Sequence, residues 1–297
     1  MTAPPTRARN GEVELECAVR GELGSDRPLL LICGLGEQLI NWPRRLLTML
    51  GRRGYAVITF DNRDVGLSTH LHGRRSDLLG ISNGTASPPY RLSDMAADAC
   101  AVLDAVGVES AHVLGVSMGG MIAQQMAIDA PARVRSLISV MSTTGDRAVG
   151  RPEPGMISLL MADPGATREE YTKHQLVLAR SIGSRVHLRD ESEIRVAAGR
   201  AFDRAYDPRG VGRQFGAIQG SGDWTAALRS LEIPTLVVHG VQDPLVAPSG
   251  GEATAAAIPG ARLLLVDEMG HDLPEPLWPS IFDAVDELTI AADTARG

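Results

Sequence analysis

Ser117 stands between Gly115 and Gly119 in "VLGVSMGGM" (113–121), directly after an apolar run. The pattern G-x-S-x-G is weak alone, because an ordinary loop with two free positions meets it by chance. Its setting carries more weight: the residues before it read as a strand and those after it as a helix. In a tight strand-to-helix turn, flanking glycines remove side chains that would collide with backbone, and the serine hydroxyl stands exposed. The helix N-terminus behind it favours a developing negative charge. Such a serine needs a base, and the base needs an orienting acid. "TLVVHGVQDPLVAP" places Asp243 after one late apolar run, and "LLLVDEMGHDLPEP" places His271 after the next. The order Ser117, Asp243, His271 is the one a nucleophile elbow of this type requires. His112 and His239 compete for the base role, and Asp267 for the acid. Both histidines fall inside or at the start of expected strands, where structural histidines are expected.

The elements that must position these residues are legible as short apolar runs. They span 29–34, 55–61, 111–117, 134–142, 235–240 and 262–267, and continuous runs of this kind suit strands buried on both faces. Helical patterns over 42–53, 92–107, 118–130 and 277–292 alternate with them, Ser93 being the expected N-cap of the second. This alternation predicts a mostly parallel sheet covered by helices on both faces. "VELECAVRG" (13–21) has period-two character and predicts an antiparallel edge hairpin. Residues 69–90 show no regular pattern. From 144 to 226 no strand is expected. That segment reads as helices, with a capping box at Thr167-Arg-Glu-Glu170, and predicts a helical cap inserted between two core segments, 1–143 and 227–297. Its apolar residues Met156, Ile157, Leu159, Leu160, Met161, Tyr171, Leu176, Phe202, Tyr206, Phe215 and Trp224 are expected mostly to pack helices, the remainder lining a pocket.

Composition narrows the function. The 297 residues include 29 Lys and Arg against 36 Asp and Glu, a net charge of -7 that argues against a nucleic-acid partner. Three cysteines without metal-type spacing suggest neither a disulfide framework nor a zinc site. "MTAPPTRARN" has no apolar leader core, and no apolar run approaches the ~18 residues of a membrane span. A cytoplasmic protein without membrane anchoring is expected.

Taken together, "CGLGEQLINW", "FDNRDVGLST", "GVSMGG", "HGVQDPLVAP" and "MGHDLPEPLW" resemble the α/β-hydrolase superfamily along nearly the whole chain. The chain is most similar there to actinobacterial lipase/esterase-like proteins and to the aclacinomycin methylesterase type. The resemblance implies an eight-stranded α/β-hydrolase fold with a cap after strand 6. It implies Ser117 as nucleophile, Asp243 as acid, His271 as base, and the backbone N–H groups of Leu35 and Met118 as the oxyanion hole. Cys33-Gly34 stands where many relatives carry His-Gly, so an imidazole that usually braces this loop is missing. Asp61, Arg63 and Asp64 are read as structural ties of the loop that follows their strand.

The expected reaction is hydrolysis of a small-molecule carboxylic ester with no metal or organic cofactor. Thioesterase, C–C hydrolase and perhydrolase chemistry would use the same triad. A non-catalytic ligand receptor on this fold is the alternative of a different class. A dinucleotide turn at "CGLGEQL" is rejected, because G-x-G-x-x-G needs glycine where Leu39 stands.

Overall fold

The computed structural model describes residues 6–22 and 27–296; residues 1–5 of the N-terminal segment lie outside them. Eight strands form one sheet: β1 (Thr6–Asn10), β2 (Val13–Arg20), β3 (Pro28–Ile32), β4 (Ala56–Phe60), β5 (Ala111–Val116), β6 (Val134–Val140), β7 (Thr235–Gly240) and β8 (Arg262–Val266). Their order is β1-β2-β4-β3-β5-β6-β7-β8. Pairings are parallel from β4 through β8, whereas β1–β2 and β2–β4 are antiparallel. The expected hairpin is present, and its first strand is the polar segment Thr6–Asn10.

The helices are α1 (Arg44–Arg52), α2 (Leu78–Asn83), α3 (Leu92–Ala105), α4 (Met118–Asp129), α5 (Met156–Leu160), α6 (Arg168–Ile182), α7 (Glu191–Arg204), α8 (Pro208–Ser221), α9 (Thr225–Leu228), α10 (Ser249–Ala257) and α11 (Trp278–Thr294). Alternation along each strand sorts side chains onto two layers. Leu30, Ile32 and Val113 join the layer under α3 and α4, while Leu29, Leu31 and Leu114 join that under α1 and α11. The strands β3 to β7 are almost wholly buried, as continuous apolar runs require. The last run departs from that expectation. β8 ends the sheet and pairs only with β7, leaving Leu263 and Leu265 about two-fifths exposed.

Two local expectations are corrected. Helix α3 begins at Leu92 with Arg91 as its N-cap, not Ser93. The Asp94 carboxylate in the first turn accepts the Arg91 N–H, and the Ser221 hydroxyl, from outside the helix, accepts the Leu92 N–H, so both donors are satisfied. The stretch 69–90 also carries a helix, α2, because the Asp77 carboxylate accepts the Gly80 N–H and Gly84 closes the turn at φ 79°.

Strands β4 and β5 lie on opposite sides of β3, so chain order reverses there. Open α/β sheets place ligands in the crevice at such a reversal. The carboxyl ends of β3 and β5 are adjacent, with Ile32 opposite Gly115. Helices α5 to α9 all fall between β6 and β7.

Candidate active site

The glycine-flanked serine occupies the turn between β5 and α4, and the reason for each glycine is steric. A Cβ on Gly115 would lie 2.0 Å from the Gly119 carbonyl oxygen, and one on Gly119 would lie 2.2 Å from that of Ile32. Strand, helix and the neighbouring strand therefore meet backbone to backbone. Ser117 itself is forced to φ 54° and ψ -120°, a conformation that side-chain-bearing residues rarely adopt. Its N–H donates to Val140 O, and its carbonyl accepts from Ser142 Oγ at 2.9 Å. These bonds hold the strained residue from the adjacent strand β6 and its following loop.

The structure brings the three sequence-predicted residues together. Ser117 Oγ lies 2.9 Å from His271 Nε2, and His271 Nδ1 lies 2.7 Å from Asp243 Oδ2. The Asp243 side chain is wholly buried, and its other oxygen accepts the N–H groups of Leu245 and Val246 at 2.9 Å each. Burial would raise this carboxyl, but the opposing His271 charge, hydrogen bonds from His239 and His271 and the Val246 N–H outweigh it. They lower it to about 2, so Asp243 is an anion at neutral pH. That anion favours the His271 tautomer with hydrogen on Nδ1, leaving Nε2 to accept a proton from serine.

The competing residues are placed elsewhere. His112 is buried between Ser136 and Asp293. His239 bonds Val246 O through Nε2, which also lies 3.4 Å from Asp243, so it supports the acid and does not reach Ser117 by any hydrogen bond. Asp267 is exposed.

Gly34 packs on the nucleophile: a Cβ there would lie 3.5 Å from Ser117 Cβ. This contact puts Leu35 in the loop beside the serine, while Met118 opens α4 and its N–H has no partner within the helix. Sequence reasoning missed what braces that loop. Glu37 accepts the Gly34 N–H at 3.2 Å, Gln214 of α8 accepts the Gly36 N–H, and Gln38 donates to Ala201 O and Ala205 O of α7 and its C-cap. Burial pushes the Glu37 carboxyl up, against the lowering effects of Gly34, His271 and Arg189. Uncharged amides give no periodic or charge signal, so Gln38 and Gln214 were illegible before the cap was placed. The "DNRDVG" residues do tie loops. Asp61 holds the N–H groups of Leu39 and Leu67 and pairs with Arg204, Asp64 pairs with Arg213, and Arg63 makes a two-pronged bond to Asp98.

The inserted helices also hold His271. His271 N–H donates to Ile182 O at the end of α6, and the Ser184 N–H donates to Asp272. Core and insertion enclose a cavity of about 850 Å³ in which Ser117 and His271 are exposed to a ligand. Ile157, Leu160, Met161, Tyr171, Tyr206 and Phe215 line it, more of the insertion's apolar residues than expected. Trp224 instead is buried and donates to Gln124.

Residues 27–275 match the family described as the alpha/beta hydrolase fold. The chain belongs to the α/β-hydrolase family. It is 32% identical to rhodomycin D methylesterase DnrP of Streptomyces peucetius, over 93% of this chain and 97% of that protein. It is 26% identical to the putative non-heme bromoperoxidase BpoC of Mycobacterium tuberculosis, over 84% and 88% of the two chains. Among solved structures it superposes on a thermophilic esterase from Thermogutta terrifontis with a TM-score of 0.70, at 20% identity and covering 97% and 100% of the two chains. Among the described residues, no helix is long and apolar enough to cross a membrane.

Proposed function

We propose that this hydrolase cleaves a carboxylic ester of a small or medium apolar molecule through an acyl-enzyme on Ser117. The carrying observation is the unbroken chain from Ser117 Oγ through His271 to Asp243, on a strained turn that opens into the cavity. His271 Nε2 takes the hydroxyl proton as Oγ attacks the carbonyl carbon, and Asp243 stabilises the imidazolium that results. The N–H groups of Met118 and Leu35 receive the oxyanion, a contribution of roughly 3–4 kcal/mol for each donor in comparable enzymes. The alcohol leaves with the proton from His271. Water, deprotonated by the same imidazole, then releases the acid.

The likeness to a methylesterase supports a small alcohol and a larger acyl part, and a cavity of about 850 Å³ accommodates a drug-sized acyl group. Residues 144–226 act in this reading as a cap whose helices form the acyl side of the pocket. The test is a panel of methyl esters with acyl parts from acetyl to multi-ring aromatic carboxylates, with matched ethyl and benzyl esters. Highest kcat/KM on bulky methyl esters supports the reading; no turnover of any ester overturns it. The likeness to a bromoperoxidase supports a second reading, in which hydrogen peroxide replaces water in the deacylation step and a peracid is released. Acetate- and peroxide-dependent bromination faster than ester hydrolysis would favour that reading.

A further inference from the structure

A cluster outside the triad joins the loop after β4 to the start of α8. His70 Nδ1 lies 2.9 Å from Asp207 Oδ2, and His72 Nδ1 lies 3.5 Å from the same oxygen. The two imidazoles stack, with centroids 5.4 Å apart and planes at 14°. One donor atom from each of the three residues fits within a span of 4.8 Å. Both ring nitrogens of His70 face acceptors. Nε2 lies 3.0 Å from the carbonyl oxygen of Gly66, which can only accept, so Nε2 carries a hydrogen. Asp207 Oδ2, 2.9 Å from Nδ1, can likewise only accept, so a ring that gives its Nε2–H to Gly66 needs either a second hydrogen on Nδ1 or a metal ion between Nδ1 and the carboxylate. An imidazole that gives its far N–H to a backbone carbonyl while its near lone pair faces a carboxylate is arranged as metal-binding histidines are.

The spacing agrees. Two donors each about 2.05 Å from one ion lie roughly 2.9 Å apart at a right angle and roughly 3.3 Å apart at a tetrahedral angle. Arg213 also donates to Asp207 Oδ2 at 2.9 Å, and Arg209 N–H donates to Oδ1 at 3.1 Å, so the carboxylate is held in place from outside the cluster. His72 is mostly exposed and free to adjust its ring.

We propose that His70, His72 and Asp207 bind a divalent transition-metal ion, zinc by their donor chemistry, which fastens the loop after β4 to the N-terminus of α8. Two imidazoles and one carboxylate suit zinc and leave a fourth position for water. Asp207 is the N-cap of α8, and α8 carries the Gln214 and Arg213 that hold Gly36 and Asp64. The ion would therefore stiffen the seam between core and cap. It takes no part in the ester chemistry, and the proposal does not rest on that reading.

The test is isothermal titration of zinc into tag-free, chelator-treated full-length protein at pH 7.5, with thermal melts recorded in parallel. The expected result is one saturable ion per chain and a melting temperature that rises with zinc. His72→Ala, whose exposed side chain can be removed without loss of fold, should bind zinc at least tenfold more weakly and lose the thermal response, and His70→Ala should do the same. His187→Ala, which removes a separate histidine paired with Glu268, should bind like the parent. No saturable binding, or binding undiminished in His72→Ala, overturns the proposal. Stability that responds to protonation of the pair and not to zinc overturns it too, and assigns the contact as an imidazolium–carboxylate bridge.

Discussion

Asp243→Asn separates the orienting role of this residue from its bulk, because the structure leaves the new amide one good orientation. Leu245 N–H and Val246 N–H both donate to Oδ1 at 2.9 Å, so the asparagine oxygen must stay there. Its NH2 group then faces His271 Nδ1, at the 2.7 Å now spanned by an N–H to oxygen bond. Two donors cannot share that space, so the imidazole moves its hydrogen to Nε2 and donates to Ser117 instead of accepting from it. Loss of the reactive tautomer in a comparable triad costs about 10⁴ in kcat, or about 5 kcal/mol of barrier. Stability should suffer less. The variant mimics the protonated acid, and a carboxyl lowered from 3.8 to about 2 contributes about 2 kcal/mol at neutral pH. The sign follows from the lowered value: this contribution is complete above about pH 4 and disappears as pH falls toward 2. Turnover of p-nitrophenyl butyrate at pH 8, with circular-dichroism melts of the same preparations, measures both effects. Expected are a folded protein at 25 °C, a modest fall in melting temperature and a 10³- to 10⁴-fold loss of kcat/KM. A folded variant within tenfold of the parent would refute the tautomer argument.

Three further outcomes follow from single residues. Gly119→Ala should destabilise by about 3 kcal/mol or more, since its Cβ meets unyielding backbone at Ile32. Gly51→Ala, in α1 with open space around it, should stabilise by roughly 0.5–1 kcal/mol. Urea midpoints decide, and a neutral Gly119→Ala would contradict the close approach of β3 and α4. Burial lowers His112 from 6.5 to about 4 despite the opposing pull of Asp293. The folded ring stays neutral where the unfolded one is protonated, so stability drops as pH falls from about 6.5 to about 4. His112→Gln should flatten that acid limb by an amount on the order of 3 kcal/mol. A limb as steep as the parent's assigns the loss to other groups.

The sheet and the Ser117–His271–Asp243 constellation were legible because their signals are local. A buried parallel strand needs a continuous apolar run, and the elbow needs glycine where backbones touch. His239 was set aside because it falls inside an expected strand, and Asp243 was preferred to Asp267, which also follows a strand, only through the family resemblance. What escaped depends on contacts between distant segments. Helix α3 starts earlier than Ser93 suggested, with Arg91 as its N-cap, and the Leu92 N–H is taken by Ser221, a residue 129 positions away along the chain. Gln38 and Gln214 hold the loop beside the nucleophile only because α7 and α8 fold over it. The run at 262–266 shows the limit of apolar runs as a guide to burial: Leu263 and Leu265 are exposed because β8 is the edge of the sheet among the described residues. His70 and His72 sit two residues apart in a stretch without periodicity, and their meeting with Asp207 depends on the cap.

Covalent trapping decides whether Ser117 is an activated nucleophile. A fluorophosphonate probe followed by peptide mapping should give one adduct per chain, on Ser117, with ester turnover abolished in step with labelling. Ser117→Ala should melt like the parent, resist the probe and show no turnover above background. An unlabelled Ser117 in folded protein, or ester hydrolysis that persists in Ser117→Ala, would contradict the account.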